Sequence, residues 1–445
     1  MIGHRVFRIG CVMSGSFLLA VLVAMLAHGA AYYVAPNGSD VNRGTETQPW
    51  RTIQKAAATL TAGDTVYVKA GTYNEKVIPE NSGSPGNYII YAAYPGDTVI
   101  LDGTNITPYW RDALFTIEGK SYIKISGFRI INSLSPHGSE GIYLKEGLHQ
   151  HHIIIERNYF HNIRGPAICA YSCDYLIIIN NEIAEVNVDE TPGEAISAYD
   201  IHRFEIKGNH VHHTHKEGID LKASSNGRIY QNHIHNVSGT GIYLDAWDGP
   251  DHDIDIYQNI VHANGGNGIG IAIEQEGGSL RNIGIHNNVV YNNAASGISI
   301  ASYFFPTPRE NIKIMNNVLY NNGHDGIYVG DVTVKNSVIR NNICSKNRRH
   351  QIASYSPSMI TIDHNLIDGS TQICGNDALV GDPKFVNPSQ ADFHLKKDSP
   401  AINKGWALDA PDHDFDGNPR PQGSAYDIGA FELTGTRINL PYLHS

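Results

Sequence analysis

The segment KEGIDLK, residues 216–222, gathers charged side chains around one glycine. Glu217 and Asp220 supply carboxylates, and Lys222 supplies an ammonium group. The isoleucine and the leucine of the segment alternate with Asp220 and Lys222. In a β-strand this alternation places the aliphatic side chains on one face and the charged ones on the other. Carboxylates beside a lysine can bind a cation or transfer protons, so the strand that carries them is a candidate site.

The segment is one unit of a repeat that dominates the chain. An asparagine recurs at intervals of 23 to 29 residues, in motifs such as IERNYF, IYQNHI and IMNNVL. These asparagines are Asn158, Asn181, Asn209, Asn232, Asn259, Asn288, Asn317, Asn342 and Asn365. A second series, in step with the first, places glycine or alanine before a short alternating stretch, as in EGIDL, TGIYL, NGIGI and SGISI.

Each repeat unit holds two or three short alternating strands separated by Gly and Asn turns, and has no stretch long enough for a helix. A unit of this size cannot bury its own apolar face. Stacking successive units ~4.8 Å apart buries a continuous core of isoleucine and valine. A stacked asparagine can bond the backbone groups that a tight turn leaves unpaired. The sequence therefore predicts an all-β parallel β-helix, or solenoid.

This pattern resembles the right-handed, single-stranded parallel β-helix of pectate lyases over residues 32–368, and the right-handed crossover rule agrees. The stretch from Thr52 to Leu60 predicts a helical cap on the first coil. The end of the chain resembles a small C-terminal module of secreted β-helix proteins. The predicted organisation is a signal peptide at 1–31, an N-terminal cap with the first coils at 32–120, β-helix repeats at 121–375 and a C-terminal capping module at 376–445.

The first residues predict export. Arg5 and Arg8 precede an apolar run, and small residues follow at 27–31, which is typical of a signal peptide. The run is shorter than the ~20 residues of a spanning helix, and no second one follows. The mature chain is therefore expected to be soluble and secreted, either extracellular or periplasmic. A monomer is the expected oligomeric state. Its four cysteines permit two disulfides or free buried thiols.

The acidic charge limits the partners. The chain has 33 basic and 44 acidic residues, a formal charge of -11, and removal of the two leader arginines gives -13. Phosphate groups are bound by clustered basic residues, so nucleic acid and anionic membranes are not expected partners. An acidic polysaccharide is compatible only if a bound cation reverses the local field.

Aligning the repeat units brings the candidate site residues onto neighbouring coils, with carboxylates, a lysine and aromatic rings suited to a polysaccharide. The candidate catalytic residues are Lys222, Asp245, Tyr243 and Glu274. The candidate metal ligands are Glu194, Glu217 and Asp220. The candidate sugar-binding residues are Tyr199 and Trp247.

A calcium-assisted lyase is the first hypothesis. Clustered carboxylates repel one another unless a cation lies between them, and Ca²⁺ prefers such oxygen ligands. It would bind the uronate carboxylate of a pectate-like polysaccharide and acidify the C5 proton, which Lys222 could abstract.

The motif EGIDL resembles the Asp-Asp-Gly-x-Asp-Leu calcium motif of polysaccharide lyase family nine. The resemblance implies that Glu217 and Asp220 are calcium ligands, with Glu194 from the preceding coil, while Lys216 replaces an aspartate. The family's catalytic lysine lies in Gly-x-Gly-Phe-Lys-Leu on the next coil. The corresponding GTGIYL places Tyr243 there, which leaves Lys222 or Tyr243 as the base.

Two other functions stay open. Ideal stacking separates Asp220 and Asp245 by roughly 8 Å, within the ~6.5–9.5 Å of inverting glycoside hydrolases. Asp245 and Glu274 have a similar offset. A non-catalytic adhesin or carbohydrate-binding solenoid is the third possibility, and it predicts no clustering of acids with a lysine on the strand face.

Two further motifs could bind metals. The histidines of NHVHHTH and NHIHN fall on adjacent coils and suit a transition metal, although stacked histidines are also common as solvent-facing ladders. They are His210, His212, His233 and His235, extended by His161 and His262. DHDFDG, from Asp412 to Gly417, has the spacing of half an EF-hand loop without the closing glutamate, and fits a calcium site or a polar turn equally.

Overall fold

The computed structural model describes residues 29–106, 112–135, 139–187, 193–301, 307, 309–330, 334–355 and 359–434. Residues 1–28, which include most of the predicted signal peptide, lie outside these ranges. Within them, no helix has the length and apolar character needed to cross a membrane.

The chain forms a parallel β-solenoid whose strands stack in three columns. The site column contains Asp112–Ile117, Ser139–Leu144, Ile168–Ile179, Ile196–His202, Ile219–Lys222, Ile242–Asp245, Ile269–Ala272, Ile298–Ile300, Ile327–Val329 and Ile352–Ser354. The second column contains Ala31–Val34, Thr65–Val68, Ile89–Ala93, Ile123–Ser126, Gln150–Glu156, the end of Ile168–Ile179, Glu205–Lys207, Ser225–Tyr230, Pro250–Tyr257, Ser279–His286, Arg309–Met315, Val334–Lys335, Ser337–Arg340 and Ile360–Asp363. The third column contains Gly71–Tyr73, Val99–Asp102, Phe128–Ser133, Tyr159–Ile163, Glu182–Val186, His210–His212, His233–His235, Ile260–His262, Val289–Tyr291, Val318–Tyr320, Ile343–Ser345, Leu366–Asp368 and Leu379–Val380.

The core follows from the alternation within the strands. Ile219 and Leu221 point inward and are fully buried, and they pair with Ile242 and Leu244 on the next coil. The same stacking continues through the other columns and gives one continuous aliphatic core. The solenoid predicted from the repeat is therefore confirmed.

The predicted asparagine ladder lies in the turn between the second and third columns. Asn259 shows its geometry. Its side-chain oxygen accepts hydrogen bonds from the backbone and side-chain N–H groups of Asn232, at 3.0 Å each. Its own side-chain nitrogen donates to the Ile229 carbonyl and to Asn288. The preceding residue, Gln258, has φ of 54°, which turns the chain between the two columns.

A second ladder was missed in the sequence. Asn264, Asn293, Asn322 and Asn347 stack in the turn after the third column, and each side-chain oxygen accepts from the backbone N–H one coil earlier. The repeated asparagine of NNAAS and NNGHD was the available signal. This ladder fixes the approach of the chain to the site column.

The glycines that precede the site-column strands permit close coil stacking. A Cβ atom on Gly218 would lie 2.7 Å from the Gly241 carbonyl oxygen, and one on Gly241 would lie 2.7 Å from that of Gly268. These distances are too short for a side chain. Glycine is therefore needed here for packing, which explains the second series of the repeat.

The predicted N-terminal helical cap is wrong. A single short helix, Ile53–Ala57, replaces the expected stretch from Thr52 to Leu60. Thr52 caps it by accepting from the Lys55 N–H. The first strand, Ala31–Val34, already pairs with Thr65–Val68, so a regular coil stands at this end. The chain leaves the helix early because it must turn into that second strand.

The chain after Val380 leaves the solenoid and packs on the outside of the third column. It includes an antiparallel pair, Phe385–Asn387 with Asp392–Leu395, and the 3-10 turn Pro388–Gln390. Its aromatic side chains contact aliphatic residues that the third column turns outward. These outward residues are Ile260, Val289, Val318, Ile343 and Leu366.

A buried ion pair lies within the C-terminal segment, and its arginine also contacts the solenoid. Arg420 and Glu432 are fully buried and 2.6 Å apart. Arg420 also donates to the Asn287 side chain, in the turn before the asparagine ladder. The segment is therefore anchored by polar contacts as well as by its apolar face.

The aspartates of the half EF-hand motif have separate partners. Asp414 accepts from the backbone N–H groups of Asn418 and Glu432, and Asp416 bonds His394. These contacts favour a polar turn. The four cysteines among the described residues, Cys169, Cys173, Cys344 and Cys374, are free thiols, so neither disulfide forms.

We expect Asn259→Ala to destabilise the protein by about 2–4 kcal/mol, because it leaves the buried backbone N–H of Asn232 without its acceptor and removes the bonds from Asn259 to Ile229 and Asn288. Urea unfolding monitored by circular dichroism measures the loss. Thr361→Ala, at an exposed strand position, is the control and should change stability by less than about 0.5 kcal/mol. An equal effect of the two substitutions would contradict a structural role for the ladder.

Candidate functional site

Three adjacent strands of the site column position the candidate residues. Ser197 pairs with Asp220, and Asp220 pairs with Tyr243 on the following coil. Tyr199 pairs with Lys222 in the same register. The alignment predicted from the repeat is therefore confirmed residue by residue in these coils.

The site is more enclosed than a solvated strand face. Asp220 and Asp245 are only 2% and 3% exposed. Asp220 lies on the face of its strand opposite the aliphatic core, as the alternation predicts, yet it is buried because neighbouring side chains such as Glu194 and Asp245 surround the carboxylate. Such burial of charged groups requires a partner for each of them.

Lys222 is that partner. Its ammonium nitrogen contacts an Asp220 carboxylate oxygen and lies 3.6 Å from Glu194 and 3.7 Å from Asp245. Burial alone would lower the pKa of Lys222, but Asp220 and Glu194 together hold it above its ordinary value. The lysine is therefore protonated at the centre of three carboxylates from three successive coils.

The predicted metal ligands Glu194, Glu217 and Asp220 lie on the Lys222 coil and on the coil before it. Glu194 accepts a hydrogen bond from the Ser197 hydroxyl at 2.7 Å and lies 3.9 Å from the Lys216 ammonium. Burial, and then the Glu194 carboxylate, raise the pKa of Glu217. The same two causes raise the pKa of Asp220 well above its ordinary value, against the opposing contact with Lys222.

Asp245, Tyr243 and Glu274 lie on the two coils that follow the Lys222 coil. Burial raises the pKa of Asp245 to about 7, and Glu274 adds to the effect while Lys222 opposes it. The Tyr243 hydroxyl donates to the Glu274 carboxylate. Tyr243 is therefore hydrogen-bonded to an acid on the next coil. On the next coil Tyr243 and Asp245 pair with Gly270 and Ala272.

The predicted sugar-binding residues lie at the edge of the site. The Tyr199 hydroxyl donates to Asp248 at 2.6 Å, and Tyr199 packs against Tyr171 on the preceding coil with ring centres 5.8 Å apart. Trp247, two residues after Asp245, is 37% exposed. Both rings are at least partly exposed.

Asp251 was missed in the sequence. It is fully buried behind the cluster and accepts a 2.6 Å hydrogen bond from the Ser224 N–H. Burial raises its pKa well above the ordinary value. Its position in the second column, outside the aligned columns of the site, left no signal in the repeat.

The donor set suits a calcium ion in its chemistry. Glu194, Glu217 and Asp220 offer the hard oxygen ligands that Ca²⁺ prefers. One Asp220 oxygen, Oδ1, is buried and has no hydrogen-bond partner among the described residues. The ammonium of Lys222 lies between Glu194 and Asp220 and balances their negative charge. A cation held by these carboxylates would neutralise part of the same negative charge.

Comparison with curated proteins finds two relatives. The chain is 29% identical over 273 residues to the uncharacterized protein YwoF of Bacillus subtilis, covering 53% of this chain and 57% of that protein. It is 32% identical over 154 residues to pectate lyase PEL9 of Emericella nidulans, covering 32% of this chain and 36% of the relative. The chain thus matches about half or less of the length of these relatives.

Solved structures with the same fold cover nearly the whole chain. The complex of XylC with xylose aligns with a TM-score of 0.61 at 15% identity, covering 91% of this chain and 98% of that one. Pectate lyase Pel9A aligns with a TM-score of 0.57 at 19% identity, covering 92% and 97%. At these identities the likeness establishes the fold.

A family match covers most of the chain. Residues 32–356 match the family described as the Pel9A-like, right-handed β-helix region. The match includes the three strands that carry the acidic cluster and Lys222, and it confirms the right-handed β-helix that the family resemblance implied. The protein therefore belongs to the Pel9A-like right-handed β-helix family, a family of carbohydrate-active proteins that includes pectate lyase.

Proposed function

We propose that the protein is a calcium-assisted polysaccharide lyase that cleaves a uronate-containing, pectate-like chain by β-elimination. The observation that carries the proposal is the position of Lys222, whose ammonium lies among the carboxylates of Glu194, Asp220 and Asp245 on the site column. Elimination from a uronate requires a base that removes a proton and a cation that neutralises the uronate carboxylate. The lysine would supply the first and the acidic cluster would hold the second.

Glu194, Glu217 and Asp220 would hold the calcium ion. When bound, Ca²⁺ supplies positive charge that neutralises these carboxylates and polarises the uronate carboxylate of the substrate. The net acidic charge of the chain, -11, would otherwise repel such a substrate. Trp247 and Tyr199 would contact the sugar rings at the edge of the site.

Lys222 would abstract the C5 proton. The electrons of the C5–H bond form the C4–C5 double bond, and the C4–O bond breaks. Lys222 must be neutral to do so, and its pKa falls as the carboxylates around it are neutralised. Asp245, whose pKa is about 7, holds a proton in a substantial fraction of molecules and would return one to the leaving oxygen.

Glycoside hydrolysis is the second candidate. The raised pKa of Asp245 favours it, because a general acid must be protonated near neutral pH. Against it, the Lys222 ammonium lies between Asp220 and Asp245, in the space where an inverting hydrolase would hold its water. Elimination uses that lysine, whereas hydrolysis leaves it without a chemical role.

We expect Lys222→Arg to abolish elimination while preserving the fold. Arginine keeps the positive charge among the carboxylates but cannot lose its proton at working pH, so the rate should fall by about 10²-fold or more. Purified protein is incubated with polygalacturonate, alginate, chondroitin or xylan, with calcium or a chelator. Ultraviolet absorbance of the unsaturated uronate and reducing ends are both recorded.

Lys145→Ala is the matched control. Lys145 lies in the Lys222 column on an earlier coil and pairs with Glu118, so its loss should leave the rate unchanged. Reducing ends without absorbance would establish hydrolysis. An active Lys222→Arg variant would exclude the lysine as base, and no product on the whole panel would refute an enzymatic role.

We expect Asp245→Asn to raise the melting temperature at pH 8 and to leave it nearly unchanged at pH 4. The folded pKa of Asp245, about 7, exceeds the ~3.9 of an unfolded aspartate. The stability it contributes is full below pH 4 and is lost as the pH rises towards 7. Thermal melts across this range measure the difference.

Asp253→Asn should change the melting temperature at pH 8 in the opposite direction from Asp245→Asn. Hydrogen bonds from His252 and Asn282 lower the pKa of Asp253, so the stability contributed by this carboxylate is present above the unfolded pKa. Removing it should slightly lower the melting temperature at pH 8. A fall in both variants at pH 8 would contradict the assignment of Asp245 as a buried acid that is costly to ionise.

A further inference from the structure

A cluster of histidines lies on the outer face of the third column, away from the acidic site. In one row Glu182 pairs with His210, and His210 pairs with His233. In the adjacent row His212 pairs with His235, and His262 follows on the next coil. Two strands and their neighbours thus bring five imidazoles onto one patch.

The imidazole nitrogens converge within this patch. The Nε2 atoms of His210 and His235, which lie diagonally on adjacent coils, are 2.9 Å apart. The ring of His210 stacks on that of His233 with centres 4.9 Å apart. One ligand nitrogen from each of these three residues lies within 4.8 Å of the others.

This arrangement is more than a stack of identical side chains. Stacking alone requires parallel rings along each row, as His212 and His235 have with an interplanar angle of 5°. It does not require two Nε2 atoms from different rows to face each other. Two ligands of a tetrahedral Zn²⁺ ion, at 2.0–2.1 Å from the metal, are about 3.3 Å apart. The His210–His235 pair needs to open by only a few tenths of an ångström.

The protonation state also suits a metal. Burial, and then the neighbouring imidazoles, lower the pKa of both His233 and His235 to about 3. Burial lowers the pKa of His210 as well. The rings are therefore neutral at neutral pH, and all three remain partly exposed, so an ion can reach them from solvent.

We propose that His210, His233 and His235 bind one transition-metal ion of the Zn²⁺ or Ni²⁺ class. Imidazole ligands select such ions over Ca²⁺, which prefers oxygen. Glu182 belongs to a second convergent group, with His210 and His212. The ion joins two successive coils, and because it binds only the folded chain it stabilises the solenoid.

The test uses the untagged protein, stripped with a chelator and dialysed into buffer with excess Ca²⁺ so that the acidic site does not compete. Isothermal titration with Zn²⁺ should give one saturable equivalent. Co²⁺ should give visible absorption bands of a low-symmetry site, and Zn²⁺ should raise the melting temperature.

His235→Gln should weaken Zn²⁺ binding by about tenfold or more, with an unchanged circular dichroism spectrum. His161→Gln is the control, since His161 is in the same row but is separated from His212 by Ala184. No saturable binding, or equal binding by the His235 variant and the parent protein, overturns the proposal. Equal weakening by both variants also overturns it, because that would place the ion elsewhere.

Discussion

The hydrogen bonds of the asparagine ladder determine how each coil meets the next. In the turn before the third column, one amide oxygen accepts from both the backbone and the side chain of the preceding coil. The asparagines are buried, and their amides are paired with the neighbouring coils. A shift of one residue in any coil would leave two such groups unpaired. The register of the site column is a consequence of this constraint.

The charge cluster of the site depends on the register of the coils. Glu194, Asp220 and Asp245 come from three different coils, and only an exact alignment of these coils brings all three carboxylates to one ammonium. A buried charge cluster of this kind costs stability unless each charge has a partner. A fold held by backbone and amide hydrogen bonds can tolerate that cost locally, because the aliphatic core on the other face of the same strands is complete.

The sequence predicted most of the fold, because the repeat encodes register directly. Ladder asparagines and glycines identify equivalent positions, so the pairing of Asp220 with Ser197 and Tyr243 followed from alignment. The alignment did not predict the burial of Asp220, since that burial depends on the side-chain conformations of several coils. Asp251 lay outside the aligned columns. The helix after Thr52 ended early because pairing with the first strand outweighs local helix propensity, which a short segment cannot reveal by itself.

The outward face of the third column changes character along the solenoid. His210 and His233 give way to Ile260, Val289 and Val318 where the C-terminal segment packs. The coils are thus not interchangeable, although their cores are nearly identical. The outward residues of the later coils pack against the C-terminal segment. Gain or loss of a coil, the simplest way for a repeat protein to evolve, is therefore restricted to the part of the solenoid that this segment does not cover.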